Sequence, residues 1–299
     1  MRRGNFLSGL GLDRASELRM DPETLDRAWR LPGARVVPVW RSKHFVLSSE
    51  SPEIVFVESH RVEAHRETRI LLGKDGTGVF FAVDLSAVEH PLEELALDAG
   101  HSVMSLREAA PLLPREEGAL LAYASAMTNW HSRHQFCGAC GSPAMSSEGG
   151  HVRICSNSSC RQIHFPRTDP AVIMLVTDGR RCLLGRQSAW PERVYSTLAG
   201  FVEPGESLEE AVMREVREET GIDIGDVRYH SSQPWPFPSS IMLGFVARAR
   251  TLEVKLGDAE LQDARWFERE ELLERRGVKL PSPISIARRL IEDWLGGEL

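Results

Sequence analysis

The sequence predicts an α/β protein in three parts, and three observations predict it. Residues 1–130 alternate short apolar runs with Gly, Asp and Ser; four cysteines follow between residues 137 and 160; and residues 169–299 set strand-like runs on either side of a glutamate-rich stretch with helical period. A length of 299 residues with 42% hydrophobic side chains suits about two globular domains with real cores.

Residues 1–130 read as an N-terminal α+β domain. "RVVPVW", "IVFVES", "TRILLGK" and "GVFFAVDLS" are strands of a small mixed sheet, and "LREAAPLL" and "EEGALLAYASAMTNWHSRH" are helical. No catalytic constellation stands here, so the expected role is scaffold or dimer surface.

Residues 131–168 hold Cys137 and Cys140 in "FCGACGSP" and Cys155 and Cys160 in "ICSNSSC". The spacing C-x2-C-x14-C-x4-C puts two cysteine pairs on turns a short hairpin apart, which suits one tetrahedral, structural Zn²⁺ per chain. A disulfide pair is the alternative. Gly and Asp interrupt the apolar residues of "MRRGNFLSGLGLDRAS" too early for a secretory signal, the chain is expected to be cytoplasmic, and cytoplasmic thiols stay reduced. The second pair spans four residues where two are commoner, which makes Cys160 the least secure of the four ligands, with His151 or His164 as the alternative to it. Cys182, alone in an apolar strand run, reads as core.

A net charge of −7 argues against a general nucleic-acid binder, although residues 131–168 carry Arg133, Arg153, Arg161 and Arg167 against Glu148 alone. No apolar run approaches the ~20 residues of a membrane span.

In residues 169–299, strands are expected at 171–177, 181–187, 224–230 and 241–249, with a helix between the second and third. That helix lies in "GFVEPGESLEEAVMREVREETGI", residues 200–222, with seven carboxylates and two arginines. A solvated acidic face is the ordinary reading of such a run. Periodicity opposes it: Leu208, Ala211 and Val212 begin an apolar stripe that continues onto Glu215 and Glu219, with Glu218 alongside. Burying unpaired carboxylates is costly, so a cation must sit among them, and a hard Mg²⁺ or Mn²⁺ takes oxygen ligands. Gly200, Pro204 and Gly205 make a tight loop before the helix, Ser207 caps it with Glu210 three residues on, and Gly221 stops it.

Gly200, Glu206, Arg214, Glu215, Val216, Glu218, Glu219, Gly221 and Ile222 match every fixed position of the Nudix box, GX5EX7REUXEEXGU, so the chain resembles the Nudix hydrolases. The resemblance implies a mixed sheet between helices, an α/β/α sandwich, and metal-dependent hydrolysis of a nucleoside diphosphate linked to another group. It further implies Glu215, Glu218 and Glu219 as ligands of several Mg²⁺ or Mn²⁺ ions, with Arg214 steadying a neighbouring carboxylate. Glu260, in "GDAELQDARWF" just before an expected strand, is the further metal-binding carboxylate by the same resemblance. Glu206 is either a member of the site or a residue that caps the helix.

"SQPWPFPSS", residues 232–240, alternates Pro234, Pro236 and Pro238 with Trp235 and Phe237. On its own it reads as a rigid loop or a polyproline ligand. After a Nudix box it matches the SQPWPFPxS array of the NADH pyrophosphatase subfamily, and residues 131–299 resemble that subfamily in the order of their motifs. This implies hydrolysis of the pyrophosphate of NADH, and less well of NAD⁺, to NMN(H) and AMP. It implies Phe201 against the nicotinamide ring, Phe165 reaching the same pocket from the second subunit of a homodimer, and Trp235 and Ser240 as lining residues. It also implies removal of NAD caps from RNA 5′ ends; the basic charge of residues 131–168, Arg153 and Arg161 included, offers a place to hold RNA phosphates close to that site. Two other readings are a Nudix enzyme for ADP-ribose or dinucleoside polyphosphates, opposed by residues 232–240, and a non-catalytic zinc-ribbon nucleotide-binding regulator, opposed by the intact helix glutamates. Ser282 and Pro283 are expected to open a closing helix with Ile284, Ala287, Ile291, Trp294 and Leu295 on one stripe.

Overall fold

A computed structural model describes residues 4–257 and 260–299. Its contacts divide the chain into two units, neither of them continuous. One joins the N-terminal stretch up to Phe6 with Asp169–Trp235 and Ser240–Leu299; the other comprises Leu7–Thr168 and Pro236–Ser239.

The second of these units begins with helices α1 (Ser16–Arg19) and α2 (Pro22–Trp29). Strands β1 (Ala34–Trp40), β2 (Lys43–Leu47), β3 (Glu53–Ile54), β4 (Val57–Glu58), β5 (Ile70–Asp75) and β6 (Gly78–Asp84) follow, then helix α3 (Pro91–Glu94), strand β7 (His101–Ser105), and helices α4 (Leu106–Ala109) and α5 (Arg115–Arg133). Among the described residues β1–β7 form one mixed sheet in the order β3-β2-β1-β6-β5, with β4 against β1 and β7 against β2; β1 and β6 run parallel. Trp29, Phe45, Phe81 and Leu85 fill its core. "IVFVES" is split into two short strands rather than one. Strands β2 and β7 and the 3₁₀ segment Ser59–Thr68 had no distinct sequence signal. Strands β8 (Ala144–Ser147), β9 (Val152–Cys155) and β10 (Ile163–His164) then make a small antiparallel sheet; Cys155 ends β9, and Cys137, Cys140 and Cys160 lie outside the strands.

The other unit contains β11 (Asp169–Thr177), β12 (Arg181–Arg186), β13 (Leu198–Phe201), helix α6 (Leu208–Thr220), β14 (Ile224–Trp235), β15 (Ser240–Ala249), β16 (Asp263–Glu268), α7 (Arg269–Leu273) and α8 (Ile286–Leu295). Its sheet has the order β14-β15-β11-β12-β16, with β13 against β11; β11 and β15 are parallel and the other pairs antiparallel. β11 is buried on both faces, so its near-continuous apolar run splits by period two. Val172, Met174 and Val176 pack toward Ala211, Val212 and Val216 of α6, while Ile173 and Leu175 pack toward Ile286, Ala287, Leu290 and Ile291 of α8. The result is the α/β/α sandwich.

Two expectations are corrected here. α8 begins at Ile286, capped by Ser285, whose Oγ accepts from Arg288 N at 3.3 Å; Ser282 and Pro283 precede the helix, and Ile284 is buried ahead of it. Residues 232–235 belong to strand β14, which confines the rigid loop to residues 236–239. Pro234 is tolerated because β14 is an edge strand, where a missing N–H costs no ladder bond. Among the described residues no helix is long and apolar enough to cross a membrane.

Candidate active site

Helix α6 is fixed at both ends. Ser207 Oγ accepts from Glu210 N at 3.3 Å while Glu210 Oε2 accepts from Ser207 N at 2.7 Å, a reciprocal capping box. Gly221 ends the helix at φ +68°. Between these caps the apolar stripe runs into the sheet and delivers carboxylates behind it: Glu215 is 9% exposed and Glu219 3%, whereas Glu218 stands at the exposed edge.

Arg214 is the hub of the cluster and holds more than the one carboxylate expected of it. Its Nε and Nη2 donate to Glu206 Oε1 and Oε2 at 2.6 and 3.0 Å, and its Nη1 donates to Glu215 Oε1 and Glu218 Oε2, each at 2.9 Å. Nη2 also donates to Phe201 O at 2.9 Å, which ties the helix to the end of β13. The fork on Glu206 is the planar, two-bond geometry that guanidinium offers and ammonium does not. Glu206 also accepts from Glu203 N at 2.9 Å, so it orders the loop and belongs to the cluster, while the helix cap is made by Glu210.

The electrostatics follow from these contacts. The Arg214 hydrogen bonds hold the Glu206 carboxyl below its usual range. Burial pushes Glu215 up; Arg214 opposes the push, and the charges of Glu218 and Glu260 add to it. Glu260, exposed, is thus within electrostatic reach of Glu215. The segment before it is docked on α6: Lys255 N donates to Thr220 O at 2.8 Å, and a Cβ on Gly257 would fall 2.0 Å from Glu218 O.

Gly200 has a role that its motif position did not reveal. The loop reading places it in a turn, but it sits in β13 opposite Val172, and a Cβ there would meet the Glu215 carboxylate at 1.9 Å. The short apolar run at Leu198–Phe201 was the available signal for this strand. Beside it the Phe201 ring is 60% exposed. Trp235 and Ser240 are register partners at the end of the β14–β15 hairpin, and Ser240 also pairs with Asp169 of β11, two residues from the Ala171 that pairs with Phe201. Phe201, Trp235 and Ser240 therefore share one end of the sheet. Phe165, 68% exposed, belongs to the other unit, as does Phe237, whose ring lies 3.9 Å beneath the Arg107 guanidinium.

The donor set suits a hard divalent ion. Glu206, Glu215 and Glu218 meet on Arg214 at a partly buried wall where burial penalises the Glu215 charge, so a bound cation would relieve both like-charge repulsion and desolvation. Among the described residues, however, only the cysteines bring three or more ligand atoms within 4.8 Å of one another.

The cysteines gather separately. The Sγ atoms of Cys137, Cys140, Cys155 and Cys160 lie within 4.8 Å of one another, with Cys140–Cys155 at 3.4 Å and Cys137–Cys160 at 3.8 Å. A tetrahedral zinc site with Zn–S bonds of about 2.3 Å has S–S edges of about 3.8 Å, and a disulfide needs about 2.05 Å. Gly141 turns the first knuckle at φ +74°, where its N–H donates to Cys137 O at 2.9 Å. His151 is engaged elsewhere, with Nε2 2.7 Å from Leu71 O and 3.3 Å from Tyr123 Oη. Neither His151 nor His164 joins the cluster. Cys182 is a core residue whose thiol burial pushes up to about 12. The half-buried Arg153 donates from Nη1 to His131 Nδ1 at 2.8 Å and from Nη2 to Ala144 O, so both terminal nitrogens take part in the protein's own hydrogen bonding.

Comparison with known families matches residues 167–287 to a NUDIX domain, residues 33–130 to an NADH pyrophosphatase-like rudimentary NUDIX domain, and residues 132–165 to an NADH pyrophosphatase zinc ribbon domain. The NAD-capped RNA hydrolase NudC of Mycobacterium tuberculosis is 37% identical over an alignment of 312 positions covering 100% of this chain and 97% of that protein. Nudix hydrolase 19, chloroplastic, of Arabidopsis thaliana is 42% identical over 258 residues, 82% of this chain and 58% of the relative. NAD-capped RNA hydrolase NUDT12 of Homo sapiens is 42% identical over 197 residues, 61% of this chain. The match spans 43% of that human relative's length.

Proposed function

The chain belongs to the NADH pyrophosphatase subfamily of the Nudix hydrolases, and from that premise we propose that it hydrolyses the pyrophosphate bond of NADH and NAD⁺ to NMN(H) and AMP, and removes NAD caps from RNA 5′ ends. The observation that carries this reading is the gathering of Glu206, Glu215 and Glu218 on Arg214 against the Gly200 backbone, beside the exposed Phe201 ring.

In this reading Glu215, Glu218, Glu219 and Glu260 hold Mg²⁺ or Mn²⁺ ions. When bound, such ions neutralise the diphosphate and activate a water as nucleophile. Arg214 keeps the carboxylates aimed together, and Glu206 anchors Arg214 from the loop side. Phe201 offers a flat face to the nicotinamide, with Trp235 and Ser240 lining the same end of the sheet. Phe165 completes the pocket from a second copy of the chain, so the active form is a homodimer. Cys137, Cys140, Cys155 and Cys160 hold one structural Zn²⁺. The reduced thiols this requires fit a cytoplasmic protein.

The test is the initial rate on NADH, NAD⁺, ADP-ribose and an NAD-capped RNA, with Mg²⁺ or Mn²⁺, for the wild type and Glu219→Gln. A preference for NADH or capped RNA that disappears in the variant supports the reading. ADP-ribose cleaved equally well would keep the hydrolase chemistry and remove the specificity.

A further inference from the structure

β14 is an edge strand, and its outward carbonyls and amides need partners. Near its end the N-terminal arm supplies them. Buried Asn5 donates from Nδ2 to Ser232 O at 2.6 Å and to Ser231 Oγ at 3.0 Å. Gln233, with no exposed surface, reciprocates: its Nε2 donates to Phe6 O at 3.0 Å and to Ile284 O at 2.7 Å, and its Oε1 accepts from Ile286 N at 2.7 Å.

This contact falls on a bulge. The pairing of β14 with β15 shifts register between Tyr229 and Ser231, leaving His230 as the extra residue. The buried His230 side chain is bonded to α8, with Nε2 2.9 Å from Asp293 Oδ2, and its Nδ1 is 2.8 Å from Ser231 Oγ. Arg289 closes the circuit, with Nε 3.2 Å from Asp293 Oδ2 and Nη1 donating to Asn5 Oδ1 at 3.1 Å. Asn5, Ser231, His230, Asp293 and Arg289 therefore form a closed ring of hydrogen-bonded side chains around the bulge.

The position of a bulge decides which face each later residue presents, because a one-residue slip turns every following side chain over. Trp235 is four residues beyond Ser231 on the same strand. We propose that Asn5 is a positioning residue for the dinucleotide, acting through this ring to pin the bulge and so fix the Ser232–Trp235 segment that lines the site. The inference rests on the proposed NADH pyrophosphatase activity.

The test compares steady-state kinetics of wild type, Asn5→Ala and Asn5→Asp in the full chain, with NADH and ADP-ribose as substrates. Asn5→Asp keeps the acceptor for Arg289 and loses the donor to Ser232 O. Loss of the hydrogen bonds is expected to raise KM for NADH about fivefold in Asn5→Ala, with an intermediate rise in Asn5→Asp and kcat within about twofold. The preference for NADH over ADP-ribose is expected to narrow. An unchanged NADH KM in both folded variants overturns the inference, as does an equal change for both substrates, which marks a purely structural residue. Wild type inactive on NADH would instead remove the function on which the inference stands.

Discussion

The backbone of Gly200 passes so close to Glu215 that a Cβ on residue 200 would lie 1.9 Å from the carboxylate carbon. A methyl group there must displace either strand β13 or the carboxylate. Misplacing a catalytic group by about 1 Å costs on the order of a hundredfold in rate, so Gly200→Ala is expected to lose about that much kcat while far-ultraviolet circular dichroism still reports a folded chain. Activity within twofold of wild type would mean that the Glu215 position is immaterial.

Zinc is expected at one ion per chain. Cys160→Ala should reduce that stoichiometry, measured by atomic emission, and lower Tm, because binding energy at a structural site is folding energy. His164 and His151 stand outside the sulfur cluster, so neither is expected to restore the metal. Full zinc occupancy in Cys160→Ala would return a histidine to the ligand set.

His44 is fully buried, with Nε2 2.6 Å from Ser125 Oγ, and desolvation depresses it to about 4 from 6.5. The unfolded chain therefore takes up a proton that the folded chain refuses between those values. His44 leaves stability intact above about pH 6.5 and erodes it as pH falls toward 4, by at most ~1.4 kcal/mol per pH unit. The fall in Tm from pH 7.5 to 5.5 should shrink in His44→Gln. An identical fall in both proteins would place the acid sensitivity elsewhere.

Arg153 and Arg161 looked equivalent in sequence and should now separate. Arg153 is part of the protein's own hydrogen bonding, so Arg153→Ala is expected to lower Tm and to reduce turnover of NADH and capped RNA together. Arg161 is exposed, and Arg161→Ala should weaken capped RNA more than NADH, with a shallower dependence on salt. The reverse pattern would put the RNA contact on Arg153.

What the sequence could announce was whatever repeats locally. The capping box at Ser207 and Glu210, the stripe from Leu208 to Val216 and the strands about Ile173 and Val246 follow from period and cap chemistry, so they were legible. β13 was not, since four residues give too short a period and its pairing with β11 lies about 27 residues back along the chain. Pro234 misled the reading of residues 232–235, because nothing local tells an edge strand from a loop. Ser282–Pro283 imitated a cap followed by proline at the first helical turn, yet these residues form a turn, with Ser285 N donating to Ser282 O, and Ser285 is the cap from which α8 starts at Ile286. At the site the carboxylates were evident from their spacing, but Arg214 reaching from the helix to Glu206 in the loop and to the Phe201 carbonyl is a tertiary fact. The ring through Asn5 joins residues 226 to 284 positions apart, a separation that no window on the chain spans.

The interleaving of the two units bears on how such a chain can be inherited or cut. One unit takes its first residues from before the other begins, and that other includes Pro236–Ser239 from the hairpin between β14 and β15. Cleavage between residues 168 and 169 would give two fragments, each lacking a piece carried off by its neighbour. The protein is thus poorly suited to modular shuffling at that point: exchange of either part would have to bring along short segments from a distant stretch of the gene.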